Sequence, residues 1–324
     1  MVVKFVVIGH VDVGKSSLCG QLLVNSGYID QHEFEKVKHE AERDGAKNCL
    51  FARILDIYSE ERERGKTHEY STFDFTVNGQ AYQLFDTPGH KQFIRSMIEA
   101  ISREKFTCAV LIVSARAEEF EQGFVGEGQT KEDIVLVKAV GITRLIVVVN
   151  KMDDCGWSKD RYDNIVAKLD KFIKRINFDN VMYLPVSAYQ NINILSDNVP
   201  SDKFEKRNLI SAISKFHDDS ITDVSEQLLL NDTTQAAGVK VDFRALFVPN
   251  IIATGFDCIC HLNGEELNSM MILPKTERFI KTDYKGTIFL EFNRSVQCRN
   301  GDRVIVRFNN FTIGFGRITG IKQK

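Results

Sequence analysis

The stretch from Gly9 to Ser17 constrains this chain most, because it reads G-H-V-D-V-G-K-S-S directly after an apolar run, Val2 to Ile8. It fits the pattern G-x-x-x-x-G-K-[ST] with a predicted buried strand before it and an amphipathic helix after it. The amides of such a loop and the positive end of the helix bind phosphate groups. We expect Lys15 to reach the β- and γ-phosphates of a nucleotide and the Ser16 hydroxyl to bind Mg²⁺. The residues predicted to contact the nucleotide here are Asp12, Val13, Gly14, Lys15, Ser16 and Ser17.

The composition is that of a folded protein of about two domains, since the 324 residues are 43% hydrophobic and 27% charged, with a net charge of −2. No apolar run approaches the ~18 residues that a membrane-spanning helix needs. Met1 to Phe5 runs straight into a predicted core strand, so we expect no signal peptide and no membrane association. Seven cysteines without a paired framework favour reduced thiols and a cytoplasmic protein.

Strand-like and helical segments alternate along the first two thirds of the chain. The run D-Q-H-E at 30–33 places an Asp N-cap before a predicted helix. Phe73 to Val77 alternates apolar and polar residues, Asn78-Gly79 follows, and a second alternating run comes next, which predicts a β-hairpin. Further apolar and helical segments alternate at 109–113, 131–140, 145–149, 160–176 and 181–185. This alternation predicts an α/β domain with a mostly parallel six-stranded sheet, in which the hairpin supplies one antiparallel edge strand.

The second strand of the predicted hairpin ends in D-T-P-G-H, Asp86 to His90. In phosphate-loop nucleotide hydrolases an Asp at the end of a strand helps to hold Mg²⁺, and the backbone of a D-x-x-G segment can donate to the γ-phosphate. We therefore predict that Asp86 is a metal ligand and that Gly89 contacts the nucleotide. Both follow the carboxyl end of a strand, where open α/β sheets bind ligands.

The strand at 145–149 ends in N-K-M-D, and the next strand is followed by V-S-A at 186–188. A carboxylate at Asp153 can accept from the N1 proton and the 2-amino group of guanine, a pair of donors that adenine does not offer. Asn150 would brace the loop, and the stem of Lys151 would cover the face of the base. Ser187 and the Ala188 amide would complete the contact at guanine O6. Any one motif could arise by chance, but four in this order after predicted strands indicate a guanine-nucleotide site.

These motifs resemble those of the translational GTPases of the eukaryotic and archaeal elongation factor one-alpha group. That group includes the GTPases that partner stop-codon release factors and the Pelota-type rescue factor. The resemblance extends from residue 1 to about residue 218. Besides the phosphate loop it rests on E-R-E-R-G-K-T at 61–67, D-T-P-G-H-K at 86–91, S-A-R-A-E-E-F-E-Q-G-F-V-G-E-G-Q-T-K-E at 114–132 and N-K-M-D-D at 150–154.

The resemblance implies a reaction and roles for further residues. GTP and GDP with Mg²⁺ are the implied cofactors, and hydrolysis of GTP is the implied reaction. Thr67 matches the threonine that joins Ser16 on Mg²⁺ only when the γ-phosphate is present, and His90 matches the histidine that orients the attacking water. Asp12 matches a carboxylate used near the transferring phosphate, and Lys15 completes the catalytic set with Thr67 and His90. Loop ordering by GTP and release on hydrolysis would be the switch.

Two departures from the family pattern stand out. The group usually has a small residue where Val13 stands, and we expect little effect because that side chain should not touch phosphate. The family sequence R-G-I-T-I is here R-G-K-T-H, with Lys66 and His68 in place of isoleucines. In the family the first isoleucine pairs with the valine matching Val11 as an apolar gate beside the catalytic histidine. A lysine does not keep that gate dry, which places the rate of hydrolysis in question.

The pattern changes after the predicted GTP-binding domain, residues 1–218. Residues 219–238 read as a linker, and residues 239–324 are predicted to form a small antiparallel β-barrel. The barrel prediction rests on short strand-like runs at 243–248, 256–261, 287–292, 303–308 and 312–318. Residues 239–324 contain 13 Lys and Arg and 8 Asp and Glu. This basic balance suits contact with RNA or an acidic protein, but it is also common on solvated surfaces.

The predicted barrel is similar to the last barrel of the same family. The similarity rests on G-F-D-C-I-C-H at 255–261, F-I-K-T-D-Y-K-G-T-I at 279–288 and F-T-I-G-F-G-R-I at 311–318. The family's middle barrel, with its signature G-T-V-x-x-G-R, has no counterpart in the sequence. We do not expect a metal at Cys258, Cys260 and His261, because the two cysteines share one face of a strand and no second ligand pair follows.

Three functions follow from this reading. The first is a GTP-hydrolysing switch related to translation factors, the second a GTP-dependent binding module with feeble hydrolysis, and the third a decoy that regulates other factors. The resemblance implies the ribosome and a release-factor-like or rescue-factor-like protein as partners. Delivery of aminoacyl-tRNA is not expected without the middle barrel, and we expect a monomer.

Overall fold

The computed structural model describes residues 2–43, 50–51, 53–55, 71–86, 105–125, 128–221, 233–246, 248, 251–309 and 311–323. The chain divides into two compact units, one containing a six-stranded sheet and the other a closed barrel. The strands of the sheet are β1 (Val3–Ile8), β2 (Ser71–Val77), β3 (Gln80–Asp86), β4 (Cys108–Ser114), β5 (Arg144–Asn150) and β6 (Asn180–Pro185). The helices are α1 (Lys15–Asn25), α2 (Gln31–Arg43), α3 (Ala117–Phe124), α4 (Gln129–Val140), α5 (Lys159–Ile176) and α6 (Leu209–Ile221), with a 3₁₀ turn at Met152–Cys155.

The sheet has the strand order β2-β3-β1-β4-β5-β6. β2 runs antiparallel to β3, and the other neighbours are parallel. The prediction of a mostly parallel six-stranded sheet with one antiparallel edge strand is therefore confirmed. Because β1, β3, β4 and β5 are parallel, the loops that follow them leave the sheet at the same edge.

Both faces of the central strands are buried, which explains their continuous apolar sequences. Val3, Phe5 and Val7 of β1 share a core with Leu18 and Leu22 of α1. Residues between them, such as Val6 and Ile8, are equally buried, so the opposite face of the sheet is covered as well. Because the apolar residues of α1 pack against β1, the helix begins directly after the loop that follows β1.

Local signals predicted from the sequence form as expected. Asn78 and Gly79 both have positive φ, 51° and 78°, as the tight turn between β2 and β3 requires. Asp30 precedes α2, and its Oδ1 accepts from the amides of His32 and Glu33 at 2.8 and 3.3 Å. This is the N-cap arrangement that compensates the first unpaired amides of a helix.

The second unit contains one closed antiparallel barrel with the strand order β10-β7-β12-β11-β8-β9. Its strands are β7 (Thr234–Ala245), β8 (Phe256–Leu262), β9 (Glu265–Ile272), β10 (Lys285–Cys298), β11 (Arg303–Phe308) and β12 (Phe311–Lys322). Inward-facing residues such as Val241, Leu267 and Val304 form its core. Residues 222–232 lie outside the described part of the chain and are too few for a second barrel, so a middle barrel is missing between the sheet and this one.

Two barrel strands differ from the sequence prediction. β7 begins at Thr234, inside the predicted linker 219–238, because small residues there fit against a neighbouring strand. A Cβ on Gly238 would lie 2.7 Å from the carbonyl oxygen of Leu290. β9 was not predicted, because Ser269 faces the interior and interrupts its apolar alternation.

Candidate nucleotide-binding site

The loop between β1 and α1 has a backbone that only particular residues allow. Gly9 has φ 147°, and a Cβ there would lie 2.5 Å from the carbonyl oxygen of Ile112 in β4. Gly14 has φ 94°, and a Cβ there would lie 2.3 Å from Asn150 Nδ2. Asp12 also has positive φ, 63°, a conformation that Asp tolerates better than most residues. The glycine spacing of the motif therefore reflects close contact between this loop and the ends of two strands.

Lys15 is held inside the loop by the loop's own backbone. Its Nζ donates to the carbonyl oxygens of Gly9 and His10, each at 2.7 Å, and the side chain is only 9% exposed. Burial lowers the pKa of Lys15, and the carboxylates of Asp133 and Asp86 oppose that shift. Two carbonyl oxygens and nearby carboxylates thus fix a buried cation at the start of α1.

The first turn of α1 contains Ser16 and Ser17, both half-buried. No acidic side chain lies in this turn and no side chain caps it. Its amides and the positive end of the helix therefore suit an anion such as phosphate. The Val13 side chain is buried, and its Cγ2 would lie 3.2 Å from a Cβ at Gly9. That it does not touch phosphate stays a prediction.

Asp86 is the last residue of β3 and pairs with Val7 of β1 on one side and Ser71 of β2 on the other. Its Oδ1 lies 3.9 Å from the Cys19 thiol of α1. Its position at the end of the strand is the one that the sequence predicted for a metal ligand. The predicted residues Thr67, Gly89 and His90 lie outside the described residues, as do Lys66 and His68.

Asn150 connects three segments at the carboxyl edge of the sheet. It is 2% exposed, and its Nδ2 donates to the Val13 carbonyl oxygen at 2.9 Å. Its Oδ1 accepts from the Ala188 amide, also at 2.9 Å. The bracing role that the sequence predicts for Asn150 therefore has a geometric basis. The sequence analysis predicted that the Ala188 amide contacts guanine O6. In the structure this amide donates to Asn150 Oδ1 instead.

Asp153 lies in the 3₁₀ turn at Met152–Cys155, and its Oδ1 is buried. No donor in the described part of the chain lies within hydrogen-bonding distance of that oxygen. A buried carboxylate oxygen without a donor is costly, so such an atom indicates a ligand donor or a water. Ser187 is buried, and its hydroxyl accepts from the Gln190 amide at 3.1 Å.

Lys151 has left-handed backbone geometry, φ 62°. Its Nζ donates to the carbonyl oxygen of Asp12 at 2.6 Å and to Glu119 Oε2 at 2.7 Å. Burial opposes ionisation of Glu119, but hydrogen bonds from Lys151 and Ser114 outweigh it and lower the pKa of that carboxyl. Glu119 was not predicted as a site residue, although it lies in the family-specific block at 114–132.

Two further contacts at the phosphate loop were not predicted. His10 Nδ1 lies 3.0 Å from Gln129 Oε1 at the start of α4. Asp133, one helical turn after Gln129, is buried and is the carboxylate that acts most strongly on Lys15. The G-Q-T segment that carries part of the family resemblance thus lies beside the phosphate loop.

The described residues contain no group of three or more His, Cys, Asp or Glu side chains placed to hold a metal ion. In the barrel, burial raises the pKa of the Cys258 thiol to about 11.

None of the helices that the structure describes is long and apolar enough to cross a membrane.

Residues 1–235 match the family described as the elongation factor Tu GTP binding domain. The chain is 42% identical over 204 residues to elongation factor 1-alpha of Hyperthermus butylicus, which covers 61% of this chain and 46% of that protein. It is 42% identical over 205 residues to the eukaryotic peptide chain release factor GTP-binding subunit of Schizosaccharomyces pombe, covering 61% of this chain and 30% of that protein. The matches thus span about half of the first relative and about a third of the second.

The fold also resembles a solved structure over nearly its whole length. The GTPase-like domain of Ski7 from S. cerevisiae, bound to GDP and inorganic phosphate, matches with a TM-score of 0.82 and 14% identity. The match covers 98% of this chain and 97% of that one. At this identity the likeness shows a shared fold.

Proposed function

Because this chain belongs to the elongation factor Tu GTP-binding domain family, among relatives of elongation factor 1-alpha and of release-factor GTPases, we propose that it binds GTP and GDP with Mg²⁺ and hydrolyses GTP. The observation that carries the proposal is the buried Asp153 Oδ1, which has no donor among the described residues. Guanine offers two donors, N1–H and the 2-amino group, at the edge that this carboxylate would read. The phosphate-binding loop with Lys15 is joined to the same region through Asn150 and Lys151.

Different residues would have different roles in the proposed reaction. The α1 amides and Lys15 would bind the phosphates and stabilise the charge that develops during transfer. His90 would orient the attacking water, and Thr67 would order its segment when the γ-phosphate is present. The oxygens of Ser16 and Asp86 suit Mg²⁺, which prefers hard oxygen ligands. When bound, Mg²⁺ supplies charge neutralisation at the β- and γ-phosphates.

Base selectivity is the direct test of the site. Asp153→Asn replaces an acceptor with a donor at the guanine 2-amino group, so GTP affinity should fall and xanthosine triphosphate should bind better. Binding is measured by titration with fluorescent nucleotides, with ATP as the control for the wild-type protein. A variant that still prefers GTP over xanthosine triphosphate would refute the assignment of Asp153.

A GTP-dependent binding module with little hydrolysis is the second candidate. Lys66 favours it, because a lysine replaces the apolar gate residue of the family. A decoy that occupies the binding sites of other factors is a further form of this reading. Multiple-turnover GTP hydrolysis with and without ribosomes separates a GTPase from the module, and ribosome pelleting tests the decoy.

The same proposal extends to partners and location. We propose that the protein acts as a monomer in the cytoplasm with the ribosome and a release-factor-like or rescue-factor-like protein, since one matched relative is named as a release-factor subunit. The barrel of the second unit would correspond to the third domain of these GTPases. Because the middle barrel is missing, an aminoacyl-tRNA would lose part of a linked binding surface, and delivery of aminoacyl-tRNA is not proposed.

A further inference from the structure

A chain of four alternating charges runs from helix α3 to the base-reading loop. The Glu119 carboxylate accepts from Lys151 Nζ at 2.7 Å and from Arg116 Nη1 at 3.0 Å. Arg116 Nε donates in turn to Asp154 Oδ2 at 2.7 Å. Asp154 is the neighbour of Asp153, the residue assigned to the guanine edge. The order of the chain is therefore Asp154, Arg116, Glu119 and Lys151.

Lys151 is the point at which this chain of charges meets the phosphate loop. Its ammonium donates both to Glu119 and to the Asp12 carbonyl oxygen at 2.6 Å. Its backbone φ of 62° is one that a lysine adopts only where its surroundings hold it. The two bonds hold the ammonium between α3 and the phosphate loop, and so fix the course of the lysine stem.

Among the bonds that join these four charged residues, the one between Glu119 and Lys151 is the best shielded from solvent. The Glu119 and Lys151 side chains are 23% and 20% exposed, whereas Arg116 is 52% exposed. Solvent screens exposed ion pairs until they contribute little, but charge-assisted bonds between largely buried groups keep more of their strength. The effect of removing Glu119 should therefore exceed that of removing Arg116.

We propose that Glu119 is a positioning residue for the base-binding lysine. By holding the ammonium against the phosphate loop, it keeps the Lys151 stem in place to cover the face of the base before nucleotide arrives. Such preorganisation lowers the ordering cost of binding and lengthens the residence time of the nucleotide. The inference rests on the proposed guanine-nucleotide site. It assigns α3, outside the motifs that would contact nucleotide, control over how long the nucleotide stays.

Nucleotide release is the quantity to measure. A fluorescent GDP analogue is loaded, excess GDP is added, and the release rate is followed by stopped flow. Loss of one charge-assisted bond predicts about tenfold faster release for Glu119→Ala, and a smaller increase for Glu119→Gln, which keeps an acceptor. Glu121→Gln is the matched control, because Glu121 lies on the same helix and pairs at 2.5 Å with Lys168, away from Lys151. Its release rate should equal that of the wild-type protein.

A double-mutant comparison tests whether Glu119 acts through the lysine. Lys151→Ala alone and the double variant Glu119→Ala, Lys151→Ala should release GDP at the same rate, because the proposed effect of Glu119 acts through the Lys151 ammonium. The bond that Glu119 keeps, to the exposed Arg116, is screened by solvent. The preference for GDP over IDP should stay unchanged in Glu119→Ala, because Asp153 reads the edge of the base. A general loss of structure would change that preference and lower the thermal stability.

The outcomes separate this inference from the proposed function. Wild-type protein that binds no guanine nucleotide would overturn both. Wild-type binding with normal release from Glu119→Ala, or equal acceleration by Glu121→Gln, would overturn the role of Glu119 alone. Independent, additive effects of Glu119→Ala and Lys151→Ala would also contradict it.

Discussion

Replacing Asn150 should cost far more stability than its size suggests, because its side chain satisfies two backbone groups that water does not reach. Asn150→Ala leaves the Val13 carbonyl oxygen and the Ala188 amide without their partners at 2.9 Å. An unsatisfied buried polar group costs about 1–3 kcal/mol. Two such groups give an expected loss of about 2–6 kcal/mol in the free energy of unfolding.

Asn150→Asp distinguishes this reasoning from a simple loss of volume. Aspartate has nearly the same shape and keeps the acceptor for the Ala188 amide. It also turns the donor toward Val13 into an oxygen that faces the Val13 carbonyl oxygen, which is repulsive. We therefore expect Asn150→Asp to lose at least as much stability as Asn150→Ala.

The assay is denaturant unfolding followed by the fluorescence of Trp157, the single tryptophan of the chain. Trp157 lies in the first unit, shortly after Asn150, so its signal reports on the sheet and not on the barrel. A shift in midpoint with an unchanged slope would give the loss of stability directly. Asn25→Ala is the control, because its exposed amide pair with Asn191 at 2.6 Å should contribute less than about 1 kcal/mol.

Two results would refute the argument. One is a loss below about 1 kcal/mol in Asn150→Ala, which would mean that the two backbone groups find other partners. The other is an Asn150→Asp protein as stable as the wild type, which would mean that the bond to Val13 contributes nothing.

Four other predictions concern chemistry, partners and the burial of a thiol. His90→Ala should lower GTP turnover while nucleotide affinity stays nearly intact, and Lys66→Ile should change turnover more than binding; equal losses of affinity and rate for His90→Ala would point to a structural role. Protection of an aminoacyl-tRNA ester from hydrolysis by this protein with GTP should be weak, and strong GTP-dependent protection would show that two domains suffice for the tRNA pocket. Cys258, whose pKa burial raises to about 11, should resist alkylation at about pH 8 until the protein unfolds, and fast labelling of native protein would contradict its burial.

Features set by neighbouring residues could be predicted from the sequence. The turn at Asn78-Gly79 and the cap at Asp30 depend on a few adjacent side chains, and both occur as expected. The order of strands and helices follows from apolar periodicity, and with it the edge of the sheet at which the predicted site residues lie. The predicted site residues at this edge could be identified because each belongs to a short sequence motif.

Features that depend on distant partners could not be predicted. Glu119 and Lys151 are far apart in sequence, and nothing in either segment specifies that they pair. The direction of the Ala188 amide is a property of the folded backbone, so its bond to Asn150 has no signal in the residue types. Gly238 marks a close approach to β10, but in sequence it reads like a linker glycine.

The hairpin of β2 and β3 has a mechanical consequence for the proposed switch. Its strands pair continuously from Ser71 with Asp86 to Val77 with Gln80, and β3 pairs in turn with β1, so the hairpin is held to the central sheet. The segments that contain Thr67 and His90 join the hairpin at its Ser71–Asp86 end. A displacement of Asp86 is therefore transmitted to Ser71 across a single backbone pair. The two segments are thus attached to the two members of one backbone pair, Ser71 and Asp86.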